Sequence, residues 1–343
     1  MQPVEHWLLI LADPEGPPVE LPRQRLDLHG LFYLCQLAEW HGVLPRVAGR
    51  IEQLIVENPE RLLMDARAGS TILPQLEPMR RRVAERAAMA LFLGAEARRL
   101  LREFVAAGAE VILLKGMDFA TRLYSQPSLR SFVDIDLLVR EKDWDAVAGT
   151  MTRLGYVAHE TKLKHAGGYA ERTWEHPAMP GAMVEVHDNL VNSPTLRRGV
   201  SVRLEDMPCK RGPQGLLQPT AAGLLLLAAV HGAASHSFDK LQQLCDIMQI
   251  ARGRAGQIDA AELREHAART NAGFCVATGL DLAARTFQDP ACAELAARLD
   301  FNWPRTLARL LVTPALVVRG QGPRRWAGSW RRQMLRQMLK SRR

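Results

Sequence analysis

The segment Val133-Asp134-Ile135-Asp136-Leu137-Leu138-Val139 constrains the fold more than any other part of the chain. It is an apolar, β-branched run of strand type that carries two carboxylates two residues apart. Residues i and i+2 of a strand share a face, so Asp134 and Asp136 are predicted to project together while Ile135 and Leu137 enter a core. Unpaired carboxylates held side by side repel each other and lose hydration. A divalent cation between them offsets both costs. The expected structure is therefore a sheet with one apolar face and one acidic face.

The surrounding pattern alternates between strand and helix. Val111-Ile112-Leu113-Leu114 reads as a buried strand that feeds a tight turn at Lys115-Gly116, and residues 117–125 read as a short helix. Residues 141–154 form an amphipathic pattern, with Trp144, Val147, Met151 and Leu154 on one face and Gly155 as the stop. Tyr156-Val157-Ala158 is a third strand candidate, and 170–176 and 182–188 are expected to pair as a hairpin around Met179-Pro180-Gly181. On either side the texture is helical. Leu28, Leu31, Leu34 and Leu37 recur at helical spacing within 26–110. After Pro213 and Pro219, helices are expected over Leu224–Val230, from Leu241 to Ala251, and at 259–269, 273–286, 290–298 and 304–318. The fold class is α+β: a small mixed-sheet core flanked by N- and C-terminal helical regions. The expected divisions are 1–104, 105–212, 213–318 and a basic amphipathic tail at 319–343.

Composition narrows the classes. Of 343 residues, 47% are hydrophobic and 24% charged, which suits a soluble globular protein of two or three domains. A run of about 18 apolar residues is absent, and the start Met1-Gln2-Pro3-Val4-Glu5 lacks a basic segment followed by an apolar one. Neither a transmembrane helix nor a signal peptide is expected. The five cysteines are scattered, with no C-x-x-C pair, which argues against zinc and for reduced thiols in a cytoplasmic protein. The net charge of +8 belongs to the tail. Residues 319–343 hold nine Lys or Arg and no acid, leaving the rest near −1. Trp326, Trp330, Met334, Leu335, Met338 and Leu339 give that tail an apolar stripe. It could meet an anionic membrane, nucleic acid or a protein, or pack on the body as a last helix.

Other residues extend the acidic pair into a site. In Met183-Val184-Glu185-Val186-His187, Glu185 faces opposite to Val184 and Val186, and a neighbouring strand would bring it beside Asp134 and Asp136. Three carboxylates suit Mg²⁺ or Mn²⁺, and a pair of such ions can activate an attacking oxygen and stabilise leaving pyrophosphate. Gly116, between strand and helix, allows a phosphate to approach the backbone, and Lys115 can add a point charge. The spacing G-x-x-x-x-G-K-[ST] is absent, so this is not a P-loop. Arg130 is placed to pair with a carboxylate of the cluster or to reach a phosphate.

Taken in order, Leu113-Leu114-Lys115-Gly116, Leu123-Tyr124, Arg130-Ser131-Phe132 with the acidic strand, Leu154-Gly155-Tyr156 and Val184-Glu185-Val186-His187 resemble the uncharacterised bacterial nucleotidyltransferase family, within the DNA polymerase β-like nucleotidyltransferase superfamily. The resemblance covers roughly residues 85–250. It implies that Asp134 and Asp136 are metal ligands, that Glu185 is the third acid, and that Gly116 marks the triphosphate turn. One departure is that Met117 follows Gly116 where the superfamily usually has Ser or Gly. His231-Gly232, His236 and Asp246 resemble the family's His-x-x-x-x-His and downstream Asp pattern, which implies a role toward nucleotide or acceptor. His231 and His236, five apart, are not expected to stack as an i,i+4 pair does. His187, next but one to Glu185, is placed to support the site. The implied activity is metal-dependent transfer of a nucleoside monophosphate, with AMP from ATP as the expected case, to an acceptor that is a protein, peptide, small molecule or nucleic acid. The alternative is a nucleotide-binding or interaction module on the same scaffold.

Overall fold

The computed structural model describes residues 2–16, 21–65, 72–159, 168–212, 215–319 and 330–340. Five strands form a mixed sheet: β1 (Val111–Leu113), β2 (Ile135–Val139), β3 (Val157–Ala158), β4 (Glu171–Glu175) and β5 (Met183–His187). Their spatial order is β1-β2-β5-β4-β3, and only the β2–β5 pair in this sheet is parallel. The 170–176 and 182–188 segments pair as the sequence predicts. A small hairpin of β6 (Cys209–Arg211) and β7 (Leu217–Pro219) has no counterpart in the sequence reading. The fold is α+β.

Alternation explains the two faces of the sheet. Ile135, Leu137 and Val139 of β2 and Val184 and Val186 of β5 enter one apolar cluster with Leu93, Ala97, Leu100 and Phe104 of the thirty-residue helix Glu77–Ala106. Val147 and Met151 of the helix Trp144–Arg153 close the same cluster. The alternate positions, Asp136 on β2 and Glu185 and His187 on β5, are left for the opposite face. There the C-terminal helices lie. The helix Ala221–Val230 is buried on every side, and its first turn is capped by Thr220, whose side-chain oxygen accepts from Gly223 N. A cap of this kind contributes about 1 kcal/mol.

Helices from the two ends of the chain share a second apolar cluster, which joins Trp7, Leu31 and Ile51 to Leu244, Ile247 and Val276. Polar ties cross it. Arg252 pairs with Asp13 at 2.7 Å and with Asp289 at 2.8 Å. His41, fully buried, lies 3.1 Å from the Val318 carbonyl through Nε2 and accepts from Leu241 N through Nδ1 at 3.3 Å. With both ring nitrogens so used, the imidazole is neutral, and burial followed by the nearby Lys240 charge lowers its pKa to about 4.

Several elements depart from the sequence reading. A helix at Pro3–Ala12 precedes the expected helical region. The single helix expected at 304–318 is two, Arg305–Leu311 and Pro314–Val318, because Pro314 cannot continue a helix and Thr313 caps the second. The tail helix Trp330–Lys340 is docked on the body: Leu335, Met338 and Leu339 are buried while Trp330 and Met334 are exposed. The expected linker at 320–323 and Trp326 lie outside the described residues. Among the described residues no helix is long and apolar enough to cross a membrane.

Candidate active site

The parallel register of β2 and β5 sets Asp136 directly opposite Glu185. The antiparallel register of β4 and β5 sets Glu171 opposite His187. Four polar side chains therefore share one patch of sheet. The His187 ring lies 3.5 Å from Asp136 and 3.8 Å from both Glu185 and Glu171. Asp136, Glu185 and His187 offer three ligand atoms within 4.8 Å of one another. Asp134 stands outside that group. β2 begins at Ile135, so Asp134 occupies the bend before the strand and Val133 is 46% exposed. The expectation of one strand carrying both aspartates is corrected accordingly.

Lys115, expected to add a point charge at a phosphate, lies between the two aspartates, with Nζ 2.6 Å from Asp136 and 3.5 Å from Asp134. The cation that relieves the Asp134–Asp136 repulsion is thus supplied by the chain itself. Burial opposes the lysine charge, but Asp136 and then Asp134 outweigh it and raise the Lys115 pKa. Burial likewise opposes the Asp136 charge, and Lys115 with His187 overcomes it, so Asp136 is held strongly ionised. Asp134 is shifted upward by burial and by the charge of Asp136.

Glu185 has no cation so close; the His187 ring is 3.8 Å away. Burial first, then the charges of Asp136 and Glu171, push its pKa up to about 7. Burial opposes the His187 charge, and the Asp136 carboxylate 3.5 Å away outweighs it and raises the His187 pKa. Among the described residues neither ring nitrogen of this buried histidine makes a hydrogen bond. A carboxylate with a raised pKa beside a histidine of unused nitrogens fits a divalent cation with mixed oxygen and nitrogen donors, such as Mn²⁺ or Mg²⁺.

Gly116 lies at φ +61°, a conformation that suits glycine, and its carbonyl accepts from Ala120 N in the first turn of the helix Met117–Leu123. Met117 turns away from the site and packs against Gly94 of the long helix, where a Cβ would meet its sulfur at 3.3 Å. Arg130 was expected at the carboxylate cluster or a phosphate. Its Nε and Nη2 instead donate to Asp246 at 2.9 and 2.8 Å, and Nη1 donates to the Gly116 carbonyl at 3.2 Å. Tyr124 donates to the same Asp246 at 2.7 Å. Gln242 and Gln249, from the helix that carries Asp246, bind the carbonyls of Ser131 and Leu123. Asp246 therefore fastens the Gly116 turn to the C-terminal helices.

His231 and His236 come together, against expectation. Residues His231–His236 form a π-helical turn, and its i→i+5 bonding brings residues five apart into register. Their rings are 4.8 Å apart. Burial, then the Lys115 charge, lowers both pKa values, that of His236 to about 4.

Two cavities meet at Lys115 and this histidine pair. One, of about 360 Å³, lies on the Gly116 side and is lined also by Arg130, Arg86 and Lys240. The other, of about 400 Å³, opens on Asp136, Glu185, Glu171 and His187. Glu171, Arg86 and Lys240 were not singled out from the sequence. Glu171 alternates within Glu171-Arg172-Thr173-Trp174-Glu175, but its partner depends on the hairpin register. Arg86 is one of many charges along its helix and carries no local signal.

The family that this chain matches is one of nucleotidyltransferases, and hence of transferases. The chain belongs to the uncharacterised nucleotidyltransferase family, whose family model matches residues 33–288. The solution structure of the antibiotic-resistance factor ANT(2'')-Ia is similar at 12% identity and a TM-score of 0.33, over 51% of this chain and 90% of that one. A superposition so loose has no weight for function. No curated protein matches the chain in sequence.

Proposed function

We propose that the protein transfers a nucleoside monophosphate, AMP from ATP or the equivalent from another NTP, to an acceptor nucleophile and releases pyrophosphate. The observation that carries this reading is the under-neutralised cluster of Asp136, Glu185 and His187 on one of two cavities that meet at Lys115. The α/β segment 105–212 is the proposed catalytic core, and the helical regions on either side shape the two cavities. Asp134, Asp136 and Glu185, with His187 beside them, are the groups that would hold Mg²⁺ or Mn²⁺. When bound, that ion supplies Lewis-acid polarisation of the phosphoryl oxygens. Lys115 keeps Asp136 ionised. The cavity at Gly116 receives the triphosphate, with Arg86 and Lys240 as its further cations. The acceptor enters from the other cavity. Its hydroxyl or amine forms a bond to the α-phosphorus, and the bond from that phosphorus to the bridging oxygen breaks. Pyrophosphate takes the electron pair, and the Glu185 carboxylate takes the acceptor proton.

The test incubates the full chain with NTP, Mg²⁺ and a lysate fraction as acceptor source. The expected result is pyrophosphate release together with a product heavier by one nucleoside monophosphate. A second reading, a module that binds nucleotide without transfer, is favoured by Lys115 filling the space between the aspartates. Calorimetric binding of Mg·ATP with no product under any acceptor fraction would select it.

A further inference from the structure

The cavity on the acidic face has another wall, contributed by the C-terminal helix Trp330–Lys340. That helix is docked closely. A Cβ at Gly199 would lie 1.9 Å from the Leu339 carbonyl oxygen, so the approach depends on glycine there. Leu335, Met338 and Leu339 are buried on the body. Arg332 and Arg336 donate to the carbonyls of Ser235 and Ala234 at 3.3 and 3.5 Å, on the same π-turn that carries His231 and His236. Arg336 lines the cavity beside Tyr169.

Among the described residues no carboxylate pairs with Arg336. The groups that act on it are its own burial, the like charge of Arg332 and the Tyr169 phenol. A half-buried guanidinium with one long backbone contact leaves donors free for a ligand. An arginine fork matches a phosphate or a carboxylate with two parallel hydrogen bonds. Lys115, which also lines this cavity, is engaged by Asp136 and Asp134, so without Arg336 an anionic ligand would be repelled by Glu185 and Glu171.

We propose that Arg336, with Tyr169, forms a subsite for an oxyanion on the acceptor. The acceptor then carries two chemical features: a nucleophile presented to Glu185 and a phosphate or carboxylate group gripped by the C-terminal helix. The proposal rests on the transfer reading of the acidic cluster for its functional meaning, but the anion site itself can be measured apart from it.

The experiment titrates inorganic phosphate, and in a parallel arm acetate, into the full chain at fixed ionic strength and reads affinity by calorimetry. Wild type is compared with Arg336→Ala, Arg336→Lys and Arg331→Ala. The expected result is a site weakened about tenfold or more by Arg336→Ala, the size of a charge-assisted hydrogen bond, partly kept by Arg336→Lys and unchanged by Arg331→Ala. Preference for phosphate over acetate, or the reverse, supports the subsite and identifies which oxyanion the acceptor bears. Equal affinity in wild type and Arg336→Ala, or no binding of either anion to wild type, overturns it. Mg·ATP is titrated into the same proteins. Wild type that binds phosphate through Arg336 but not Mg·ATP keeps the subsite and removes the transfer reading.

Discussion

Two buried charge clusters stand on either side of the Gly116 turn, and they are built on opposite terms. In the first, Asp246 accepts from Arg130 and Tyr124, and Arg130 spends its third donor direction on the Gly116 carbonyl. Opposite charges match, and the oxygens of Asp246 are both used. In the second, Asp134, Asp136, Glu185 and Glu171 gather around one lysine and one histidine. Glu185 is pushed toward neutrality and the His187 nitrogens lack good partners. A satisfied cluster holds a structure in place. An unsatisfied one, retained in a folded protein on the wall of a cavity, marks where a ligand completes the set.

The difference predicts distinct responses to mutation. Asp136→Asn should lower pyrophosphate release by roughly 10²–10³-fold or more, the scale of losing a dominant electrostatic group. It also leaves the buried Lys115 with Asp134 as its nearest ion pair, so the urea midpoint should fall, by less than for Arg130→Ala; pyrophosphate release per folded protein equal to wild type would take Asp136 out of the site. Arg130→Ala should act mainly on stability. It strands a buried carboxylate and should cost about 3–5 kcal/mol in urea unfolding, with activity following the folded fraction. A stable Arg130→Ala protein with impaired NTP affinity would move Arg130 into the binding site.

pH separates the acidic cluster from a third buried group, His41, because the two respond with opposite sign. His41, which ties the N- and C-terminal helices, has a folded pKa of about 4 against 6.5 when free. The unfolded chain binds the proton first. His41 therefore contributes stability in full above pH 6.5 and loses it as pH falls toward 4, by roughly 3 kcal/mol. Replacing His41 with Gln should flatten that part of the stability-versus-pH curve. Glu185 is raised instead, so in the metal-free protein its ionisation above pH 7 works against folding. Glu185→Gln should then stabilise the metal-free protein at pH 8 by on the order of 1 kcal/mol, read as a higher unfolding midpoint. A lower midpoint would show that Glu185 is already satisfied.

Much of the sheet was legible because its signal is local. Alternation in Ile135–Val139 and Met183–His187 assigns the apolar and acidic faces, and the tight turn at Gly116 follows from the apolar run before it. What could not be read depends on distance. The partner of Arg130 lies 116 residues away, on a helix whose own periodicity says nothing about what it faces. The His231–His236 contact requires a π-turn, and a spacing argument that assumes 3.6 residues per turn separates the two rings. The Lys115 contacts with the strand were not legible because a lysine beside a glycine turn can swing either to a phosphate or to the strand. The tail's apolar stripe was evident, but its docking place is set by Gly199, which carries no local mark of that role.

The central claim is that the acidic face is completed by a divalent cation, and Mn²⁺ titration tests it most directly. Calorimetry on the full chain, with NTP present, should show saturable Mn²⁺ binding in wild type that Asp136→Asn abolishes and Arg331→Ala leaves intact. Equal binding to wild type and Asp136→Asn, or none to either, would contradict the account.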